Sequence, residues 1–435
     1  MNLHRTAIAA ALAAVILLPC AALGAGYGIF EQGASAMGMA GAGTASVHDA
    51  SAVFYNPAAI VRLDGHQIYL GDTWLMTNIS FAGVEPYPGF GATERMNTGN
   101  FFPPTLYWTH HLENRWKNWA YGAGINAPFG LGVDWKNPDQ FTGRERVTKA
   151  DVRTINGNLS LSYAPNDQWS IGVGYDALFA GVELHSMDEL VAPGGGGGKL
   201  NIAHVILKSS HKPGYTWNAG GLWTPNPAWK VALNYRAQSH VAVTNGEATF
   251  TYVATGNAQL DAVVREGLPA NQTVASELRF PSILSLGVAW NPEPDWTWEV
   301  DANKTSWSWF QKLPLAFANN PELDQAITED YQDSWRVNVG AEHRLPKFTY
   351  RFGYYFDQAA APTESVTPLL PDANRHGATA GLGLKLGKAK AWTLDLYELA
   401  LFVEDRSTDG RNRDGFNGTY KSFINAAGVN LGYHW

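Results

Sequence analysis

The sequence predicts an all-β fold: a transmembrane antiparallel β-barrel of about fourteen strands, plugged by a small N-terminal helical hatch. Three observations carry this. From about His66 to the C terminus, apolar residues recur with a period of two. Beyond the first two dozen residues there is no apolar run long enough for a spanning helix, and a bilayer admits only helices or closed barrels, because it offers backbone groups no water. Aromatic residues recur at strand ends, where a membrane–water interface would hold them.

Composition narrows the function. Of 435 residues only 16% are charged, against about a quarter in ordinary globular chains. The net charge of −8 offers no footprint for nucleic acid. The one cysteine, Cys20, excludes an internal disulfide and a CxxC metal or redox site. No metal or cofactor is expected.

Residues 1–24 read as a secretory signal. His4 and Arg5 precede a twelve-residue apolar run, Ala7 to Leu18. Ala22-Leu23-Gly24 then offers a cleavage site that leaves Ala25 as the mature start. A spanning helix needs ~20 apolar residues. Lipidation of Cys20 is disfavoured by Pro19 before it.

Residues 25–64 lack alternation. Small residues crowd 33–46, yet Ile29, Phe30, Val53, Phe54, Ile60 and Val61 are too apolar for a tail in water. Short helices packed inside the pore fit this composition, with a loose periplasmic tail as the alternative.

Residues 65–435 form the barrel. Trp169, Ile171, Val173, Tyr175 and Phe179 alternate with Ser170, Gly172, Gly174 and Asp176. Trp296, Trp298 and Val300 alternate with Thr297, Glu299 and Asp301. A soluble sandwich would turn the apolar face inward. The aromatic strand ends and the charged opposite face favour lipid outside and a polar lumen within. Strands are expected to begin near His66, Pro104, Ala120, Val147, Gln168, Tyr215, Trp229, Val274, Trp296, Ser334, Phe348, Gly377, Trp392 and Lys421. The apolar frame shifts between Leu396 and Leu399, which predicts a bulge near Tyr397. Short and long connections alternate, as expected for periplasmic turns and extracellular loops. Five glycines, 194–198, run into Lys199-Leu200, which lacks the phosphate-binding GxxxxGK[ST] spacing and reads as a flexible loop.

The N-terminal segment carries Ala25-Gly26-Tyr27, Glu31, small residues around Gly38, Ala40 and Gly43, Asp49-Ala50 and Asn56-Pro57-Ala58. Residues 124–131, Thr305-Ser306-Trp307-Ser308-Trp309-Phe310, residues 335–340 and residues 350–354 follow in the barrel. In these motifs and their order the chain resembles the FadL/TodX-type outer-membrane transporters of long-chain fatty acids and aromatic hydrocarbons. The resemblance implies passive uptake: cargo enters between extracellular loops, settles in an apolar pocket and leaves sideways through a gap in the wall. Tyr27, Glu31, Asp49, Asn56, Pro57 and Ala58 would form the hatch and gate. Lys312, Trp309, Phe310 and Phe179 would contact ligand.

The residues themselves suggest the gap. A proline donates nothing to a ladder, so Pro128, with Asn126, Phe129 and Gly130, marks a kink, either a side opening or an ordinary bulge. By resemblance Asn56 would lie near it and could meet the backbone groups it frees. Fatty-acid members place basic residues in the pocket. The corresponding positions here fall on Ser186 and near Pro314, and Met39 stands where many members have arginine. Lys312 either caps an acid headgroup or is a solvated loop charge. Long-chain fatty acids are the first expectation for cargo, and neutral aromatic or aliphatic hydrocarbons the alternative.

No catalytic set emerges. HExxH, GxSxG and dinucleotide fingerprints are absent, and adjacent His110 and His111 would point to opposite strand faces. A hydrophilic porin and an outer-membrane hydrolase are the lesser alternatives. The expected partners are the hydrophobic cargo, outer-membrane lipid and lipopolysaccharide, and the barrel assembly machinery through Trp435; a monomer is expected.

Overall fold

The computed structural model describes residues 26–191, 199–387 and 391–435. The leader expected over 1–24, Cys20, Ala25 and the glycine run 194–198 lie outside the described residues. Among these, fourteen strands close into one antiparallel ring, each paired with the next along the chain. They are β1 (His66–Gly83), β2 (Pro104–His111), β3 (Trp119–Asn126), β4 (Lys149–Tyr163), β5 (Trp169–Val191), β6 (Lys212–Asn226) and β7 (Trp229–Arg236). The ring continues with β8 (Ile283–Trp290), β9 (Trp296–Thr305), β10 (Ser334–Arg344), β11 (Phe348–Asp357), β12 (Arg375–Leu386), β13 (Trp392–Val403) and β14 (Gly418–His434). β14 returns to β1 over the whole register from Gln67↔His434 to Gly83↔Gly418. The one large displacement from the expected starts is at Val274, because Pro281 divides that strand into Gln272–Phe280 and β8. With Lys199–Lys208, Ser239–Tyr252 and Lys312–Phe317, the former segment carries the sheet on beyond the ring at its loop end.

The apolar face is the outer one. Trp169, Ile171, Val173 and Tyr175 are exposed, while Ser170, Gly172, Gly174 and Asp176 between them are buried. At the rim bearing the short turns the outward rings pair across strands: Trp169 on Trp223, Trp229 on Trp290, and Trp392, Tyr433 and Trp435 in sequence. A dry core of tryptophans would have meant a soluble protein. Of the tryptophans among the described residues, two, Trp135 and Trp307, rank among the largest fully buried side chains.

The bulge expected near Tyr397 is absent. β13 pairs without a register shift from Trp392↔Leu386 to Val403↔Arg375 on one side and from Trp392↔Tyr433 to Phe402↔Phe423 on the other. The apparent frame change has another cause. Asp395, Tyr397, Leu399 and Leu401 all face inward, and the last three pack with Ala34, Met37 and Ala40. An inward face reads as apolar wherever the lumen is filled by apolar chain.

Residues 26–64 fill that lumen, and most of them are buried. They fold as α1 (Ala34–Gly38), α2 (Ala52–Tyr55) and a 3-10 turn, Pro57–Arg62. Such short helices are not stable alone; the wall supplies what they lack. Asp301 accepts the backbone N–H groups of Gly43 and Thr44 and the Thr44 hydroxyl, and Glu299 accepts those of Ala45 and Ser46 at 2.6 and 3.0 Å. Asn430 accepts the N–H of Ala34, and Asn338 donates to the carbonyl of Ala40. Arg351, buried between Glu342 (2.7 Å) and Asp395 (2.6 Å), completes the polar layer.

Lumen-facing glycines mark where backbone meets backbone. A Cβ at Gly172 would stand 2.3 Å from the Pro57 carbonyl carbon, and one at Gly353 2.4 Å from that of Met39. Gly172→Val therefore sets a wall side chain against fixed hatch backbone. We expect it to destabilise the folded barrel by about 1–3 kcal/mol, read as a lower temperature for the gel-mobility shift on heating in detergent. An unchanged transition would show that the hatch yields freely.

Candidate functional site

The ring is kinked after the third strand. β3 ends at Asn126 and a short strand, Gly130–Asp134, resumes beyond it. Asn126 pairs with Asn156 of β4 and Gly130 with Arg153, so four steps on one strand match three on the other. One extra residue is present, as in a bulge, with Pro128 at its centre. The Thr154 hydroxyl bridges it, accepting from Phe129 N–H and donating to Phe129 O.

The other edge of the kink is open. Its last ladder pair with β2 is Leu106↔Ile125; the next wall contacts are Asn97 N–H to Asp134 O and the Met96↔Trp135 bridge. Among the described residues no wall strand pairs with 127–133 on this edge. The start of the hatch stands there instead. Gly28 bridges Phe129, Ile29 N–H donates to Pro128 O, and Tyr27 O accepts from Gly130 N–H at 2.9 Å. Gln32 Nε2 donates to Ala127 O at 2.9 Å.

Directly inside lies an apolar cavity enclosing about 510 Å³ of empty space, counted out to its open mouth. Tyr27 and Leu131 line it beside the kink, Val152, Val182 and Leu184 from β4 and β5, and Leu278, Phe280, Phe310 and Leu313 from the opposite wall. Tyr331, Leu369 and Leu370 come from loops. Tyr27 separates cavity from kink: its ring packs edge-on against Phe129 (6.1 Å), Trp307 (4.7 Å) and Phe310 (5.6 Å), and its hydroxyl donates to Arg279 O at 2.7 Å. A second apolar space of about 320 Å³ shares Val182, Leu184 and Leu313 and leads toward Lys208 at the loop end.

Among the described residues no lysine or arginine lines the first cavity. Its one ionisable acid is Glu329, 4% exposed, whose carboxyl is pushed up to about 8 by burial.

The predicted residues divide. Tyr27, Phe129, Gly130 and Phe310 meet at the cavity and kink; Asn126 is buried below, its amide 3.4 Å from the Tyr107 hydroxyl. Glu31 accepts the Phe30 N–H, and Asp49 accepts from the Ser51 N–H and hydroxyl and from the Ser35 hydroxyl, so both tie the hatch to itself. Asn56 is not at the kink: its amide donates to Thr44 O at 2.9 Å and reaches Gly221 O at 3.4 Å, its oxygen accepts Ala58 N–H, and Pro57 packs on Gly172 and Gly220. The groups expected of Asn56 are supplied by Gln32 and the backbone of 27–29, because the N terminus enters at the kink while residues 56–58 turn against β5 and β6. Phe179 points outward, 41% exposed, since the inward parity of β5 belongs to Leu178 and Ala180. Trp309 lies half-buried beneath Arg279, and Lys312 is exposed; neither lines the cavity. Gln32, Glu329 and Tyr331 were missed. The lone glutamine amid small hatch residues was a usable signal; Glu329 and Tyr331 carried none, sitting in a loop like many others.

A family model described as outer membrane protein transport protein (OMPP1/FadL/TodX) matches residues 15–433. The chain belongs to that family. It is an outer-membrane transporter of hydrophobic compounds, and members of this family are channels rather than enzymes. The chain is 26% identical to a long-chain fatty acid transport protein of Escherichia coli O6:H1, over 85% of each chain. It is 24% identical to outer membrane protein P1 of Haemophilus influenzae, over 97% of each. Among solved structures, a Pseudomonas aeruginosa FadL homologue superposes with a TM-score of 0.80 at 20% identity, covering 94% of this chain and 100% of that one. The P. putida toluene transporter TodX gives 0.73 at 18%, covering 94% and 99%. At these identities the solved structures speak to the fold.

Proposed function

We propose that the transporter takes a neutral hydrophobic solute from the loop end into the apolar cavity and releases it sideways, past Tyr27, through the wall at Pro128. Residues 26–64 act as a hatch that blocks straight passage. The observation that carries this reading is the contiguity of an apolar cavity, free of cations among the described residues, with the open strand edge at the kink. Release into lipid is favoured by solubility, since transfer to water would cost ~0.8 kcal/mol per CH₂. The outer wall faces outer-membrane lipid and lipopolysaccharide, Trp435 is offered to the barrel assembly machinery, and the protein works as a monomer.

Long-chain fatty acids are the second reading, favoured by the names of the sequence relatives. A buried carboxylate needs a cation or several donors, and among the described residues the cavity lining provides no cation. Proteoliposome uptake decides: toluene should enter at least about tenfold faster than through protein-free lipid and outpace oleate, while small sugars stay out. Faster oleate than toluene would reverse the two readings, and sugar entry would indicate a porin.

A further inference from the structure

The cavity ends on an acid without a counterion. Glu329 follows the short strand Gln325–Thr328, and its backbone N–H is fixed by Gln311 O at 2.8 Å. The side chain lines the cavity and is 96% buried, yet among the described residues neither carboxyl oxygen has a hydrogen-bond partner. The cation that acts on it, Arg413, is committed elsewhere: its guanidinium bonds Asp330 at 2.7 Å, Thr328 O at 2.8 Å and the Ser365 hydroxyl at 3.1 Å. Tyr331, two residues on, lines the same wall, and its hydroxyl is also unpartnered. Two polar groups, two residues apart in the chain, thus line an otherwise apolar space with their bonding capacity unused. Buried polar groups are normally paired, and the few polar groups of an apolar pocket are the ones that fix a ligand's orientation.

We infer that Glu329 is a specificity-determining residue of this cavity, selecting hydrophobic molecules that end in a neutral hydrogen-bond donor, an alcohol or a phenol, over carboxylates and plain alkanes. This rests on the cavity being the cargo site. A hydroxyl donates to the Glu329 carboxyl and accepts from Tyr331. At neutral pH, burial keeps Glu329 largely protonated, so no charge repels or demands one. An alkanoate brings a charge that no lining cation offsets, and an alkane leaves both groups unpaired.

The test is calorimetric titration of the full mature chain in amphipol at pH 7 with 1-decanol, decyl methyl ether, decanoate and decylamine. The alcohol should bind about tenfold more tightly than any of the others. Glu329→Leu should bring the alcohol to the level of the ether while leaving the ether within about twofold, which shows the fold and cavity intact. Glu329→Gln, which keeps donor and acceptor, should retain most of the preference. Equal affinities for alcohol and ether in the wild type, or a preference that survives Glu329→Leu, would overturn the head-group assignment alone. Tighter binding of decylamine would overturn its neutrality. If neither alcohol nor ether binds, or the cavity-filling Leu278→Trp leaves binding unchanged, the cargo-site reading falls as well.

Discussion

Deletion of residues 26–49 is expected to turn a closed barrel into an ion-conducting pore, raising single-channel conductance in planar bilayers by at least about tenfold. The segment it removes contains α1, the donors that hold Glu299 and Asp301, and the Met39 backbone that fits Gly353. What remains is a ring whose inner face carries Glu299, Asp301, Asn338, Glu342, Arg351 and Asp395. Water replaces the lost hydrogen bonds of such groups readily, so the lumen should flood rather than collapse. The ring itself is held by continuous ladders that the deletion does not touch, including closure of β1 on β14. Conductance that stays at the wild-type level in a correctly folded, heat-modifiable barrel would refute the plug.

Deletion of Pro128 alone is expected to close the proposed side exit. It removes the extra residue, so that Asn126 through Gly130 run step for step against Asn156 through Arg153. Inward parity is preserved, because Asn126 and Leu131 both face the lumen and would then lie an even number of residues apart. The kink costs backbone pairing that a straight strand recovers, so this variant should be at least as stable as the wild type. Uptake of toluene should fall about tenfold, while conductance and cavity binding of a hydrophobic probe remain unchanged. Binding kept and uptake lost is the signature of a blocked exit. Uptake at the wild-type rate would mean that cargo leaves by another route and that the bulge is merely structural.

Much of the fold was legible because a barrel wall has one period and two solvents. Trp229, Val231 and Leu233 alternate with Lys230, Ala232 and Asn234, and lipid outside with polar chain inside is the arrangement that satisfies both faces. The same rule misled where the inner solvent changes. Leu399 and Leu401 read as a slipped register, but they meet α1 rather than water. Phe179 was expected at the ligand through the resemblance, whereas its odd position in β5 already commits it to lipid. Pro128 was legible as a break because proline has no N–H; which chain would meet the break was not, and Gln32 rather than Asn56 takes that place.

The sequence by itself determined the barrel, its inward and outward faces and the location of the kink, because these follow from alternation and from backbone chemistry within a few residues. Only the tertiary structure decided what the cavity contains. Tyr27, Leu131, Phe310, Glu329 and Leu370 are brought together from opposite ends of the chain by ring closure and by loops folded over it. Such side chains share no period and no local propensity, and their juxtaposition, an acid left unpaired among apolar neighbours, exists only once the ring has closed.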